Sequence, residues 1–303
     1  VKSKLSLSTV ALLTAAPLLW AGNAIAGRLV RAAVPPMTLN LLRWSLALVI
    51  LLPLGRALLQ PGSGLLRDWR RYALLGLFGV GLYNSLQYLA LQSSTPINVT
   101  LVAAGMPVWM MIVGALFFGT PLRQRQVVGA VLSIAGVVLV LARGDWQQLT
   151  QLRLVIGDLY MVLATISWSF YSWLLVARRT GVPRENPAIR ADWAAFLLAQ
   201  VLYGVAWSGV FAAVEWTSAP RQIVMNWQVA AVLLFVAIGP AVTAYRCWGT
   251  GVARAGPTVA AFFSNLTPLF AALLSLAFLG EAPHLYHGAA FLLIAGGIAW
   301  SSR

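Results

Sequence analysis

Apolar runs of about 20 residues follow one another along the whole chain, parted by short polar breaks that hold most of the arginines. A helix needs about 20 apolar residues to cross a bilayer core. The pattern predicts ten spans: 5–27, 37–59, 72–92, 96–118, 126–142, 156–178, 191–214, 227–250, 257–279 and 285–302. Trp69, Tyr72, Trp146, Trp216 and Trp227 fall near run ends, where an amphipathic ring suits the membrane interface.

The runs also repeat. Shifting the chain by 161 positions lays Pro96 on Pro257, Pro107 on Pro268, Phe117 on Phe278, Gly119 on Gly280, Leu132 on Leu293 and Gly136 on Gly297. The expected fold is an all-α polytopic membrane protein with ten transmembrane helices as two inverted five-helix repeats. Residues 1–142 form the first repeat, 143–155 an outer connecting loop and 156–303 the second, all in one integrated membrane domain. An odd number of spans per copy reverses the second copy. Inverted repeats of this kind build secondary transporters, with the substrate held at the repeat interface near mid-membrane.

Composition agrees with the pattern. Of 303 residues 60% are hydrophobic and only 9% charged, with mean hydropathy +0.82. A soluble domain carries about 25% charged residues. The +14 net charge does not point to nucleic acid, because the basic residues are scattered between apolar runs. They obey a rule of orientation instead. With the N-terminus in the cytoplasm, inside segments carry 15 Lys and Arg and outside segments five, while Arg43 lies within a span. That asymmetry places both termini inside. Lys2, Lys4 and Ala24-Ile25-Ala26 mimic a signal peptide, but the run between them is long for one and is read as the first span. Cys247 is the single cysteine, so neither an intrachain disulfide nor a cysteine metal cluster is expected.

Leu42-Arg43-Trp44, Gly119, Gly280-Glu281, Gly157-Asp158 and the paired mid-helix prolines, in this order and spacing, resemble the drug/metabolite transporter superfamily. They are most similar to its ten-span members with two EamA-type repeats, and among these to bacterial inner-membrane exporters of amino acids, including aromatic ones. The resemblance implies a secondary transporter without cofactor, working on a small neutral or zwitterionic substrate such as an amino acid. It covers essentially the whole chain. One departure stands out: Gly119-Thr120 in the first copy faces Gly280-Glu281 in the second.

Few residues in the spans can carry transport. Asp158 and Glu281 fall at predicted outer ends and Glu215 just beyond one, leaving no carboxylate near the midplane. A charge there is expensive and marks an ion path, so its absence favours an uncharged or zwitterionic load. Arg43, two turns into span two, is either a partner for a substrate carboxylate or a structural arginine that snorkels outward or binds helix-end carbonyls. Arg246, near the inner end of span eight, reads as an inner-face anchor. Tyr83 with Gln87, and Asn84 with Tyr88, are i,i+4 pairs on span three. Ser167, Trp168, Tyr171 and Ser172 make a similar stripe on span six, and Trp20 and Asn23 one on span one. Asn98 and Thr100 lie on span four, Ser264 and Asn265 on span nine. The expected substrate-binding set is Trp20, Asn23, Arg43, Tyr83, Asn84, Gln87, Asn98, Trp168, Tyr171, Ser264 and Asn265. Each taken alone also suits packing or a helix-to-helix hydrogen bond. Pro107 and Pro268 are candidate hinges, or else static kinks. Glu281, His284 and His287 are spaced unlike an i,i+4 zinc pair and read as a solvated outer loop. No phosphate loop is visible, and no buried histidine or midplane acid pair suggests an enzyme. Nothing resembles a channel filter.

Overall fold

The computed structural model describes residues 5–30, 33–142, 145, 147–150, 153–177, 186–218, 223–279 and 285–302. Every regular element among them is a helix, the only open-ended answer when apolar surroundings leave backbone groups no water to bond. The long elements are α1 (Leu7–Val30), α2 (Pro36–Leu54), α3 (Trp69–Ser93), α4 (Pro96–Ala104), α5 (Met106–Phe118), α6 (Gln124–Ala142), α7 (Ile156–Val176), α8 (Trp193–Ser218), α9 (Trp227–Ala255), α10 (Pro257–Ser264), α11 (Leu266–Leu279) and α12 (Leu285–Ser301). Among the described residues, eight helices are long and apolar enough to cross a membrane, or nine if the bent pair α4 and α5 counts as one span. Helix α12 is apolar but shorter, at 17 residues.

Proline and glycine shape the ends. Proline opens α2, α4 and α10, where a missing N–H costs nothing. Gly119 ends α5 at φ 63°, a left-handed cap that an L side chain resists. Span four is not one rod. It bends by 43° between α4 and α5, where Pro107 offers no N–H to the carbonyl one turn back. Pro268 follows the shallower break at Asn265, between α10 and α11, one residue further on than Pro107 follows Gly105.

Two expectations need correction. Helix α8 runs on through Ser218, so Glu215 is helical rather than beyond the span. It is held there because its carboxylate takes the N–H groups of Met37 and Thr38, each at 3.0 Å, and the Thr38 hydroxyl at 2.9 Å. A carboxylate at a helix N-terminus answers orphan N–H groups and the helix dipole together. Helix α9 continues to Ala255, which puts Arg246 well inside it, stacked 4.3 Å from the Trp193 ring, rather than one turn from its end. Helices α3 and α9 each contain a π-helical stretch, Gly76–Leu82 and Ala237–Thr243.

Packing across the two halves is reciprocal. Helix α3 lies on α7 and α9 on α1; α5 lies on α7 and α11 on α1; α3 meets α8 and α9 meets α2. Helices α2 and α8, α6 and α12, and α5 and α10 pair directly. At the α6–α12 contact the backbones nearly touch. A Cβ on Gly129 would stand 2.8 Å from the Gly297 carbonyl oxygen, and one on Gly297 would stand 2.7 Å from that of Gly129. Large apolar side chains cover the outside, among them Val131 on α6 and Leu292 on α12. The inside holds Asn40, Arg43, Asn84, Ser133, Thr165, Ser172 and Asn265. A polar interior under an apolar coat is the arrangement a lipid solvent demands.

Candidate functional site

Helix α7 carries Trp168 into the middle of the bundle, where it is 2% exposed. Five rings surround it. Trp20 of α1 meets it edge-on at 5.2 Å and Tyr245 of α9 edge-on at 5.3 Å. Tyr83 of α3 lies at 4.7 Å, Tyr171 at 4.9 Å and Trp248 at 5.5 Å. Trp44 of α2 extends the cluster through Tyr245, at 4.8 Å. Helical spacing explains the gathering. Trp168 and Tyr171 are i,i+3 on α7, as are Tyr245 and Trp248 on α9, so each pair shares one face. The cluster draws on both halves of the chain.

The two π-helical stretches frame this cluster. Their bounds differ by 161 positions, the period of the sequence repeat. At equivalent positions each presents a carbonyl to a ring from the other half. Gly79 accepts from the Tyr245 hydroxyl, and from Asn84 Nδ2 at 3.4 Å. Pro240 accepts from Trp20 Nε1 at 3.3 Å. Trp248 Nε1 donates to Ser172 Oγ at 3.1 Å, and Ser167 Oγ to the Phe78 carbonyl at 2.8 Å. The donors of the wall are thus largely engaged, and its faces are apolar.

A polar group adjoins the rings. Arg43 is 1% exposed; its Nη1 donates to Asn84 Oδ1 at 3.2 Å and to the Tyr88 hydroxyl at 3.1 Å. Asn84 also donates to the Tyr245 hydroxyl at 3.4 Å, linking arginine to ring cluster. The arginine neither snorkels outward nor binds helix-end carbonyls. Nearby, Asn40 Nδ2 reaches the Val80 carbonyl at 3.1 Å and Ser208 Oγ at 3.2 Å.

The other sequence candidates divide. Asn23, one turn from Trp20 on α1, is buried with no partner for Oδ1. Gln87 is half-buried one turn beyond Tyr83. Asn98 lies apart, with Nδ2 donating to Asp158 at 3.1 Å and to the Arg153 carbonyl at 2.9 Å. Asp158 also takes the Ser94 hydroxyl and the Val155 N–H at 2.8 Å, tying the start of α7 to α3 and α4. Asn265 joins helices: Nδ2 donates to Ser133 Oγ at 2.9 Å and to the Ala104 carbonyl at 3.3 Å. Ser264 bonds its own helix at the Ala261 carbonyl. Pro107 and Pro268 sit in the first turns after the two breaks. Glu281 and His284 lie outside the described residues. His287 is buried in the first turn of α12, its ring 4.2 Å from Tyr286, which corrects the solvated-loop expectation. No group of ligands able to hold a metal occurs among the described residues.

Tyr245 and Trp248 were absent from the sequence-derived set. Their signal was an aromatic i,i+3 pair on span eight, matching that of span six and hidden beside Arg246. Trp44 entered only as part of a motif.

Comparison with known proteins adds a family. A model described as the EamA-like transporter family matches residues 7–142 and again 155–303. An uncharacterized transporter of Archaeoglobus fulgidus is 25% identical over 95% of this chain and 94% of its own. The aromatic amino acid exporter YddG of Ancylobacter novellus is 27% identical over 93% and 92%. A crystal structure of another protein superposes with TM-score 0.73 at 23% identity, over 97% of this chain and 96% of that one, a likeness of fold.

Proposed function

From the premise that the chain belongs to the EamA-like transporter family, we propose that it is a secondary transporter exporting amino acids, aromatic and other neutral ones, or related small metabolites. It works in the inner membrane with both termini in the cytoplasm. Residues 1–142 and 156–303 act as two inverted five-span repeats, joined by 143–155, that rock about a central site. The α4–α5 and α10–α11 breaks beside Pro107 and Pro268 supply the bending. The observation that carries this reading is the ring cluster around Trp168, built by α1, α3, α7 and α9 from both halves. Apolar walls with a few convergent polar groups suit an amphipathic metabolite. The reciprocal packing and the paired π-helical stretches support the repeat. The name of the Ancylobacter relative supports the substrate class. The rival within the family is an exporter or facilitator of other metabolites or drugs.

Counterflow in proteoliposomes tests this. Labelled phenylalanine, tryptophan, threonine and methionine are offered with and without a proton gradient, to the native chain and to Tyr83→Ala and Trp168→Ala. Saturable counterflow, lost in the two folded variants, is the expected result. Absence of amino-acid flux through folded protein sinks the substrate class, and conductive, non-saturable flux sinks the carrier.

A further inference from the structure

Among the described residues, Arg43 is a buried cation without a countercharge. Both recorded partners of its guanidinium, Asn84 Oδ1 and the Tyr88 hydroxyl, are neutral. The described carboxylates are engaged elsewhere. Asp68 pairs with Arg67 at 2.9 Å. Asp145 and Asp192 cap the turns that follow them. Asp158 holds the start of α7. Glu215 of α8 reaches the first turn of α2, but its oxygens are taken by Met37 and Thr38. A buried charge is tolerated when something of opposite sign meets it.

Two donors beside that charge are idle. Arg43 Nε and Trp44 Nε1 are buried and have no hydrogen-bond partner. They belong to one locality, since the guanidinium carbon lies 5.1 Å from the centre of the Trp44 ring. Buried donors are seldom left without an acceptor, and a donor on a buried cation calls for one from water, an ion or a ligand. A cation with spare N–H groups in a fixed fork matches a carboxylate. The same locality adjoins the aromatic cluster: Trp44 packs on Tyr245, and Asn84 bonds both Arg43 and Tyr245.

We infer that Arg43, with Trp44 Nε1 beside it, is the receptor for a substrate carboxylate, and that the chain selects carboxylate-bearing molecules with an apolar body over the corresponding amines. The inference rests on the transporter reading and names the group its site recognises. A carboxylate seated there neutralises Arg43 and takes up the idle donors, while the attached apolar body lies among the rings.

The test is ligand-induced thermal stabilisation of the purified full chain in detergent, which reports binding without transport. The probes are phenylalanine, 3-phenylpropionate (carboxylate, no amine), phenethylamine (amine, no carboxylate) and 4-methylpentanoate (carboxylate, no ring). The native chain binds phenylalanine and 3-phenylpropionate about 10- to 100-fold more tightly than phenethylamine, as charge-assisted bonds to one carboxylate predict. Arg43→Gln removes that preference by weakening the two ring carboxylates toward the level of phenethylamine. Arg43→Lys keeps part of it, and Trp44→Phe, which preserves the packing, loses a smaller part. These two keep the inference testable where Arg43→Gln fails to fold. Equal binding of phenylalanine and phenethylamine overturns the inference, as does a uniform loss of all four probes in Arg43→Gln. Binding of 4-methylpentanoate but no ring compound, dependent on Arg43, upholds the carboxylate receptor and sinks the aromatic substrate. Transport of other compounds with no carboxylate bound overturns the receptor and leaves the transporter standing.

Discussion

Replacing Trp168 by alanine removes the ring that the other five surround. Truncating a buried tryptophan costs about 3–5 kcal/mol, part from lost contact and part from the void left behind. Summing the five ring pairs at ~0.5–1.5 kcal/mol each does not give an independent figure, because the partners also touch one another. For a chain of this size about 2 °C of Tm follows each kcal/mol, so Trp168→Ala should melt roughly 6–10 °C below the native chain. Trp168→Phe keeps an aromatic body and should fall by less than half as much. The assay is thermal unfolding in one detergent, followed by counterflow normalised to folded protein. A Trp168→Ala protein that melts within 2 °C of native would show that the rings do not form a packed core. One that is destabilised but transports normally per folded molecule would show that the rings hold the fold and not the load.

Other perturbations discriminate more narrowly. Glu215→Gln keeps acceptor capacity but drops the charge at the start of α2, costing ~0.3–1 kcal/mol, whereas Glu215→Ala strands the Met37 and Thr38 N–H groups and should cost about 1–3 kcal/mol; unfolding midpoints in the reverse order count against the cap. Gly297→Ala places a methyl 2.7 Å from the Gly129 carbonyl oxygen and should destabilise the chain by about 1–3 kcal/mol, so an unchanged midpoint refutes the close α6–α12 contact. Arg71 donates to the carbonyls of Leu174 and Ala177 at the end of α7, each at 3.3 Å. Arg71→Gln should loosen that end and raise the labelling rate of the buried Cys247 by N-ethylmaleimide about tenfold; equal rates in the two proteins would separate the latch from access to the interior.

Much of the fold was legible because the bilayer imposes length and apolarity, which are properties of a run rather than of a residue. The rings of Trp20, Tyr83, Trp168 and Tyr171 were legible for a related reason: helical spacing puts them on faces that lipid does not favour. What the same reasoning cannot separate is a polar residue facing a site from one facing a neighbour's backbone. Asn98 and Asn265 belong to the second kind, spent on the Arg153 and Ala104 carbonyls. Glycines and Pro240 mark the π-helical stretches as irregular but not as π-helical, since a widened turn is held by distant partners such as Tyr245 at Gly79 and Trp20 at Pro240. Glu215 was misplaced because the partner that draws it into the helix belongs to α2, far away in sequence.

A π-helical turn carries slack. It stores one residue more than the α-helical turn that could replace it, and a one-residue change of phase turns everything beyond it by about 100°. On α9 the rotation would carry Tyr245 and Trp248 away from Trp168, and on α3 it would carry Tyr83 and Asn84. Only the helix segment past the slack need turn, with every other backbone bond kept. A membrane helix cannot unwind cheaply, since lipid offers its amides no substitute partners. Passing a surplus residue along the rod avoids that cost, so these two helices can change which face they show while remaining helices.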